Sequence, residues 1–155
     1  MKAISNLRLK PLFLKNIATL GPVGYLPLAP GTWGTLAGAM FIALLKPSAP
    51  LHALLIFVFT GLGAYSAHEA EKAIGMKDSS HIVIDEFAGY LLASLSFPQD
   101  LRYIIASFIL FRLFDILKPP PVKFFDRPGG VGIMADDIIA GIMANIVLQL
   151  WRVFA

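Results

Sequence analysis

Five acidic residues in this sequence stand where carboxylates are costly to place. Asp85 and Glu86 are adjacent in "IVIDEFAG" (82–89), Asp136 and Asp137 are adjacent in "MADDIIAG" (134–141), and Asp115 lies in "FRLFDILKPPP" (111–121). Each borders or enters an apolar run, where an ionised carboxylate is unfavourable unless it is paired or binds a metal. A single acid at a helix start is explained by capping of free backbone N–H groups. Two adjacent acids, occurring twice, exceed that need. Hard oxygen donors of this kind suit Mg²⁺, which keeps several waters and takes one or two carboxylates together with substrate phosphate. Asp85, Glu86, Asp115, Asp136 and Asp137 are therefore the candidate catalytic acids and metal ligands, with helix capping as the structural alternative.

Cations accompany them. Arg112, Asp115 and Lys118 follow i, i+3, i+6 spacing, which sets them along one helix face, and Pro119–Pro121 then stop the helix. Either Arg112 merely neutralises Asp115, or Asp115 serves metal and catalysis while Arg112 and Lys118 grip phosphate oxygens. In "PVKFFDRPGG" (121–130), Lys123 and Arg127 are either membrane-surface anchors or further phosphate contacts, and Asp126 is a partner for Arg127. "LAPGTWGTLAG" (28–38) places Thr32 and Thr35 in a Gly-rich turn ahead of an apolar segment. Such a turn caps a helix or cradles phosphate, so Thr32 joins the phosphate-binding candidates. In "HEAEKAIGMKDSSH" (68–81), His68, Glu69 and Glu71 read as solvated, while Asp78 and His81 precede Asp85 closely enough to support it.

The elements that must position these residues are apolar. The chain has 155 residues, one domain's worth over 1–155, and is 57% hydrophobic and only 15% charged. Soluble domains usually hold about 45–50% apolar and about 25% charged residues, so this excess points to lipid as the solvent. Cys is absent, which excludes a disulfide framework, a Cys-based zinc site and a cysteine nucleophile. The net charge of +3 is modest, and no nucleic-acid partner is expected. Apolar segments fall at 33–46, 51–67, 84–97, 101–117 and 133–151, and residues 7–20 alternate basic and apolar positions as a membrane-surface segment does. The expected fold is all-α: a small polytopic membrane helical bundle of about five apolar helices plus an N-terminal interfacial segment. The N-terminus lacks the pattern of a cleaved signal peptide.

With the N-terminus cytoplasmic and every segment crossing, Lys2, Arg8, Lys10, Lys15, Lys72, Lys77, Lys118, Lys123 and Arg127 lie inside. Lys46, Arg102 and Arg152 lie outside. That asymmetry obeys the positive-inside rule. The same topology brings all the polar clusters to the cytoplasmic face.

The stretches "LAPGTWGTLAG", "KDSSHIVIDEFAG", "FRLFDILKPPPVKFFDR" and "GGVGIMADDIIAG", in this order and spacing, resemble the phosphatidylglycerophosphatase A family across about residues 20–145. The resemblance implies a small bacterial inner-membrane enzyme that removes the terminal phosphate of phosphatidylglycerophosphate in a Mg²⁺-dependent reaction, giving phosphatidylglycerol. It carries the family's motif acids onto Asp85, Glu86, Asp115, Asp136 and Asp137, and its motif cations onto Arg112 and Lys118. Two routes fit these residues: metal-assisted attack by water with an acid such as Glu86 as base, or an aspartyl-phosphate formed on Asp115 or Asp85. The alternatives from other classes are an ion transporter, which intramembrane acids often mark, and a membrane lipid-binding protein without turnover. Against transport, the acids gather at one face.

Overall fold

A computed structural model describes residues 12–75, 79–127 and 129–154. Among these residues all regular structure is helical. Residues 12–18 are helical, and a 3-10 turn at Val23–Tyr25 leads into α1 (Pro30–Leu45). There follow α2 (Ala49–Ile74), α3 (Ile84–Ala93), α4 (Leu101–Leu117), a single turn α5 (Val122–Phe125) and α6 (Gly130–Phe154). Residues 7–11 of the expected interfacial segment, together with Lys2, Lys77 and Asp78, lie outside the described residues.

Local chemistry sets the helix ends. Pro30 and Pro50 open α1 and α2 in the first turn, where a missing N–H costs nothing. Lys46 and Gly75 close them in the left-handed region, each donating its backbone N–H to the preceding turn. Asp100 caps α4 by accepting from the backbone N–H groups of Arg102 (3.0 Å) and Tyr103 (3.2 Å). The Tyr103 hydrogen bond, aided by Arg102, holds the Asp100 carboxyl below its ordinary range. Lys118 ends α4 at φ 43°, with Pro119–Pro121 beyond it.

The third expected segment is shorter than its hydropathy suggests. It was to run from 84 to 97, but α3 stops at Ala93. There the Ser94 hydroxyl donates to the carbonyls of Tyr90 and Leu91 (both 3.1 Å), and Ser96 turns the chain at φ 68°. At about 1.5 Å per residue α3 is roughly 15 Å long. It needs no greater length because it is the core: Ile84, Phe87, Ala88, Gly89, Tyr90, Leu91 and Ala93 are all buried beneath α1, α2, α4 and α6.

Glycines let the surrounding helices approach α3. Gly34 of α1 lies so close to Val83 that an added Cβ would sit 2.7 Å from its carbonyl oxygen, and Gly38 faces Tyr90 in the same way. Gly89 of α3 and Gly141 of α6 meet at the α3–α6 crossing. Farther along α6, the Asn145 amide donates to the carbonyls of Leu92 (3.2 Å), Ala93 (3.2 Å) and Leu95 (2.9 Å). One side chain thereby serves the orphan acceptors at the C-terminus of α3.

The outward faces are oily. Met40 and Leu44 of α1, Leu54 and Phe57 of α2, Ile105 and Ile109 of α4, and Ile146 and Leu150 of α6 are all exposed, Phe57 to 79%. Among the described residues two helices, Ala49–Lys72 within α2 and Gly130–Phe154, are long and apolar enough to cross a membrane. α1 is apolar but shorter, at 16 residues.

Candidate functional site

The N-termini of α1 and α3, the C-terminus of α4 and the second and third turns of α6 meet at one end of the bundle. The α3–α6 crossing at Gly89 and Gly141 brings Asp85 and Glu86, in the first turn of α3, beside Asp137. One carboxylate oxygen from each of Asp85, Glu86 and Asp137 falls within 4.8 Å of the others. Asp85 and Asp137 are buried and Glu86 is half-buried. Asp85 Oδ1, Glu86 Oε2 and Asp136 Oδ1 are buried without a hydrogen-bond partner among the described residues.

Neither acid pair acts as a cap. The N-cap of α3 is Val83, with no side-chain hydrogen bond. Asp136 and Asp137 do not open the last helix, because α6 begins at Gly130, well before them. That helix starts three residues earlier than the expected 133. Gly130 lies against Ala64 and His68 of α2, and Gly132 lies against the backbone of Arg127, where side chains would not fit. The capping alternative therefore fails for Asp136 and Asp137. Asp85 and Glu86 do stand in the first turn of α3, where the helix dipole favours an acid, but two adjacent carboxylates with buried, partnerless oxygens exceed that role.

A cavity of about 130 Å³ opens beside the cluster, lined by Asp85, Glu86, Asp115, Lys118, Asp126, Arg127, Asp136 and Asp137, with Ser79, Ser80, Ile82 and Ile133. Arg112 Nη1 donates to Asp115 Oδ2, as the i, i+3 spacing anticipated. Lys118 Nζ reaches Asp136 Oδ2 at 2.7 Å and Asp126 Oδ1 at 2.9 Å. Partial burial opposes the charge on Lys118, but the hydrogen bonds to Asp136 and Asp126 outweigh it and hold the ammonium above its ordinary value. Asp126 thus pairs with Lys118 and not with Arg127, its expected partner. Gly31 of α1 packs against the cluster: a Cβ there would lie 2.9 Å from the Glu86 carboxyl carbon and 3.1 Å from Arg112 Nη1.

Seven of the candidates line this cavity: the five acids, Lys118 and Arg127. Arg112 joins them through Asp115. Thr32 and Lys123 are not among the lining residues. Thr32 and Thr35 lie inside α1, whose N-cap is Ala29, and the Thr35 hydroxyl donates to the Gly31 carbonyl at 2.9 Å. Lys123 is exposed on α5. His81 takes a structural place: its Nδ1 is 2.9 Å from the Gly24 carbonyl oxygen, and its ring stacks on Tyr25 at 4.7 Å. Ser79, Ser80 and Asp126 were not among the candidates. The stretches "KDSSHIVIDEFAG" and "FRLFDILKPPPVKFFDR" contain them, but neither their type nor their spacing singles them out as site residues.

The model of one protein family, described as phosphatidylglycerophosphatase A, matches residues 16–152. The chain belongs to the phosphatidylglycerophosphatase A family. The Haemophilus influenzae protein named phosphatidylglycerophosphatase A is 38% identical over 155 residues, covering 89% of this chain and 95% of that protein. The Escherichia coli protein of the same name is 37% identical over 129 residues, 81% of this chain and 75% of that one. A Bacteroides thetaiotaomicron protein, provisionally named a phosphatidylinositol-3-phosphatase, is 39% identical over 154 residues, 92% of this chain and 96% of its own. No solved structure matches the chain. The family match runs from before α1 to Arg152 in the last turn of α6 and includes every residue of the carboxylate cavity.

Proposed function

We propose that the chain is a Mg²⁺-dependent phosphatase that hydrolyses the terminal phosphomonoester of phosphatidylglycerophosphate to phosphatidylglycerol and phosphate. The observation that carries this reading is the convergence of Asp85, Glu86 and Asp137 on one small cavity flanked by cations. It occurs in a chain whose family bears the name of that activity.

The residues fit a divalent cation. Their donors are all hard oxygens, two of them are buried without partners, and like charges this close favour a cation between them. Asp85, Glu86 and Asp137 would hold Mg²⁺, with Asp115 and Asp136 at the margin. Bound there, it supplies neutralisation of phosphoryl charge and a more acidic water. The chain's own residues do the rest. Glu86, the least buried of the three, accepts a proton from the attacking water. The new phosphorus–oxygen bond forms as the bond to the glycerol oxygen breaks. That oxygen takes a proton from solvent and leaves as the alcohol, and Glu86 returns its proton to solvent. Arg112 and Lys118, held by Asp115 and by Asp136 with Asp126, keep the carboxylates in place and offer their remaining N–H donors to the phosphate. An aspartyl-phosphate on Asp115 or Asp85 is the competing route, and it predicts a trappable phosphoenzyme.

The site belongs at the cytoplasmic face of a bacterial inner membrane, within a single multi-pass domain. The exposed apolar faces of α1, α2, α4 and α6 support embedding in lipid. Lys72, Lys118, Lys123 and Arg127 sit at the site's end and Lys46, Arg102 and Arg152 at the other, which supports the orientation. α1, α3 and α4 then run between the same two ends as α2 and α6, with the short α3 shielded from lipid.

The name of the Bacteroides relative favours a second reading, a phosphoinositide monoester as substrate. Phosphate release from phosphatidylglycerophosphate and from phosphatidylinositol 3-phosphate, each in the same mixed micelles with Mg²⁺, separates the two. Faster release from phosphatidylglycerophosphate is expected. The reverse order would transfer the assignment to the phosphoinositide.

A further inference from the structure

Two cations line the carboxylate cavity, and they differ. Lys118 is held by both Asp126 and Asp136. Arg127 is exposed and makes no ion pair or side-chain hydrogen bond among the described residues. Its backbone packs on the start of α6. Gly132 lies beneath it so closely that an added Cβ would be 2.6 Å from the Arg127 carbonyl carbon and 3.1 Å from its Cβ.

Arg127 also lines a second space. A groove of about 450 Å³ runs between α5 and the start of α6, lined by Phe124, Phe125, Arg127, Val131, Gly132 and Ala135. Apart from Arg127 this lining is apolar, and Phe124 and Val131 are strongly exposed. The carboxylate cavity, at about 130 Å³, has room for a phosphate group but not for acyl chains. A lipid phosphomonoester therefore has to leave it, and the shared residue Arg127 marks where the polar cavity meets the apolar groove.

We propose that Arg127 binds the inner phosphodiester of the lipid substrate at this junction, with the diacylglycerol portion lying along the Phe124–Ala135 groove. The inference rests on the phosphatase reading above and names what selects its substrate. A planar guanidinium with free donors matches a phosphodiester oxygen pair. The glycerol link between the two phosphates spans from the junction to the carboxylates. Arg127 then separates phosphatidylglycerophosphate, which has an inner phosphodiester, from phosphatidic acid, which has only the monoester.

The test compares the two lipids with identical chains in nanodiscs, using wild type, Arg127→Gln, Arg127→Lys and Val131→Glu. It also measures the Kd of each protein for phosphatidylglycerol, which keeps the phosphodiester and lacks the terminal phosphate. Arg127→Gln should lower the preference in kcat/KM for phosphatidylglycerophosphate by about tenfold or more, the worth of a charge-assisted contact, and raise the phosphatidylglycerol Kd by a similar factor. Arg127→Lys should fall between. Val131→Glu should raise KM for both lipids. An unchanged preference with an unchanged Kd in Arg127→Gln would overturn the inference and leave the phosphatase reading intact. Absence of phosphate release from either lipid by wild type, with phosphatidylglycerol binding still dependent on Arg127, would overturn the phosphatase reading and retain the guanidinium contact.

Discussion

Replacing Gly89 by Ala tests how the bundle assembles the carboxylate cluster. Gly89 lies one turn past Asp85 on α3, against α6 at Asp137. A Cβ there would lie 2.7 Å from the Asp137 carbonyl oxygen and 2.6 Å from Cε2 of the buried Phe111. Ordinary contact begins at 3.4 Å, so α3 and α6 must part by 3.4 − 2.7, about 0.7 Å, since a backbone carbonyl cannot swing aside as a side-chain tip can. Overpacking of this kind costs about 1–3 kcal/mol of stability. The same displacement separates Asp137 from Asp85 and Glu86, and misplacement of about 1 Å costs on the order of 100-fold in rate. Gly89→Ala should therefore lower turnover by roughly 10- to 100-fold and raise the Mg²⁺ concentration giving half-maximal activity. Gly61→Ala is the control, because a Cβ at Gly61 meets nothing within 4 Å. The assay is phosphate release across a Mg²⁺ titration, with melting of the detergent-solubilised protein in parallel. A Gly89→Ala protein that keeps wild-type turnover and Mg²⁺ dependence would refute the claim that this crossing sets the cluster.

Two further outcomes concern the frame. Asn145→Leu removes three hydrogen bonds to the end of α3 and takes from the Ala93 and Leu95 carbonyls their side-chain donor, while Leu92 keeps the backbone N–H of Leu95. It should cost about 1–3 kcal/mol, read as a lower melting temperature in a fixed detergent. Asp100→Ala removes the cap of α4. Because the folded state holds the Asp100 carboxyl below its ordinary value, its contribution is present above the unfolded carboxylate pKa, about 3.9. It is lost as pH falls through the lower folded value. The melting temperatures of wild type and Asp100→Ala should differ at pH 7 and converge in acid.

Hydropathy located the helices well and their ends less well. The segment 101–117 coincides with α4, since Asp100 and Pro119 bound it in the sequence itself. α2 continues past the expected 67 to Ile74, because a helix end needs no apolar residue and the Glu69–Lys72 pair at 2.8 Å sits within its last turns. α6 begins early because Gly130 and Gly132 are seated by tertiary contacts that no local pattern reveals. The site shows the same division. The Arg112–Asp115 pair follows from helical spacing and was legible. The Lys118–Asp136 pair joins residues 18 apart, and it depends on where α4 ends and how α6 docks. Asn145 carried no signal, because its partners are backbone carbonyls of another helix.

The proposed role of Asp85, Glu86 and Asp137 as a metal-dependent phosphatase site is open to a direct assay. Purified protein in detergent is given phosphatidylglycerophosphate with Mg²⁺, with EDTA, and with Mg²⁺ restored, and Asp137→Asn runs beside wild type. The expected result is phosphate release that EDTA abolishes and Mg²⁺ restores, reduced roughly 100-fold or more in a folded Asp137→Asn protein. Release that persists in EDTA and survives Asp137→Asn would contradict the account.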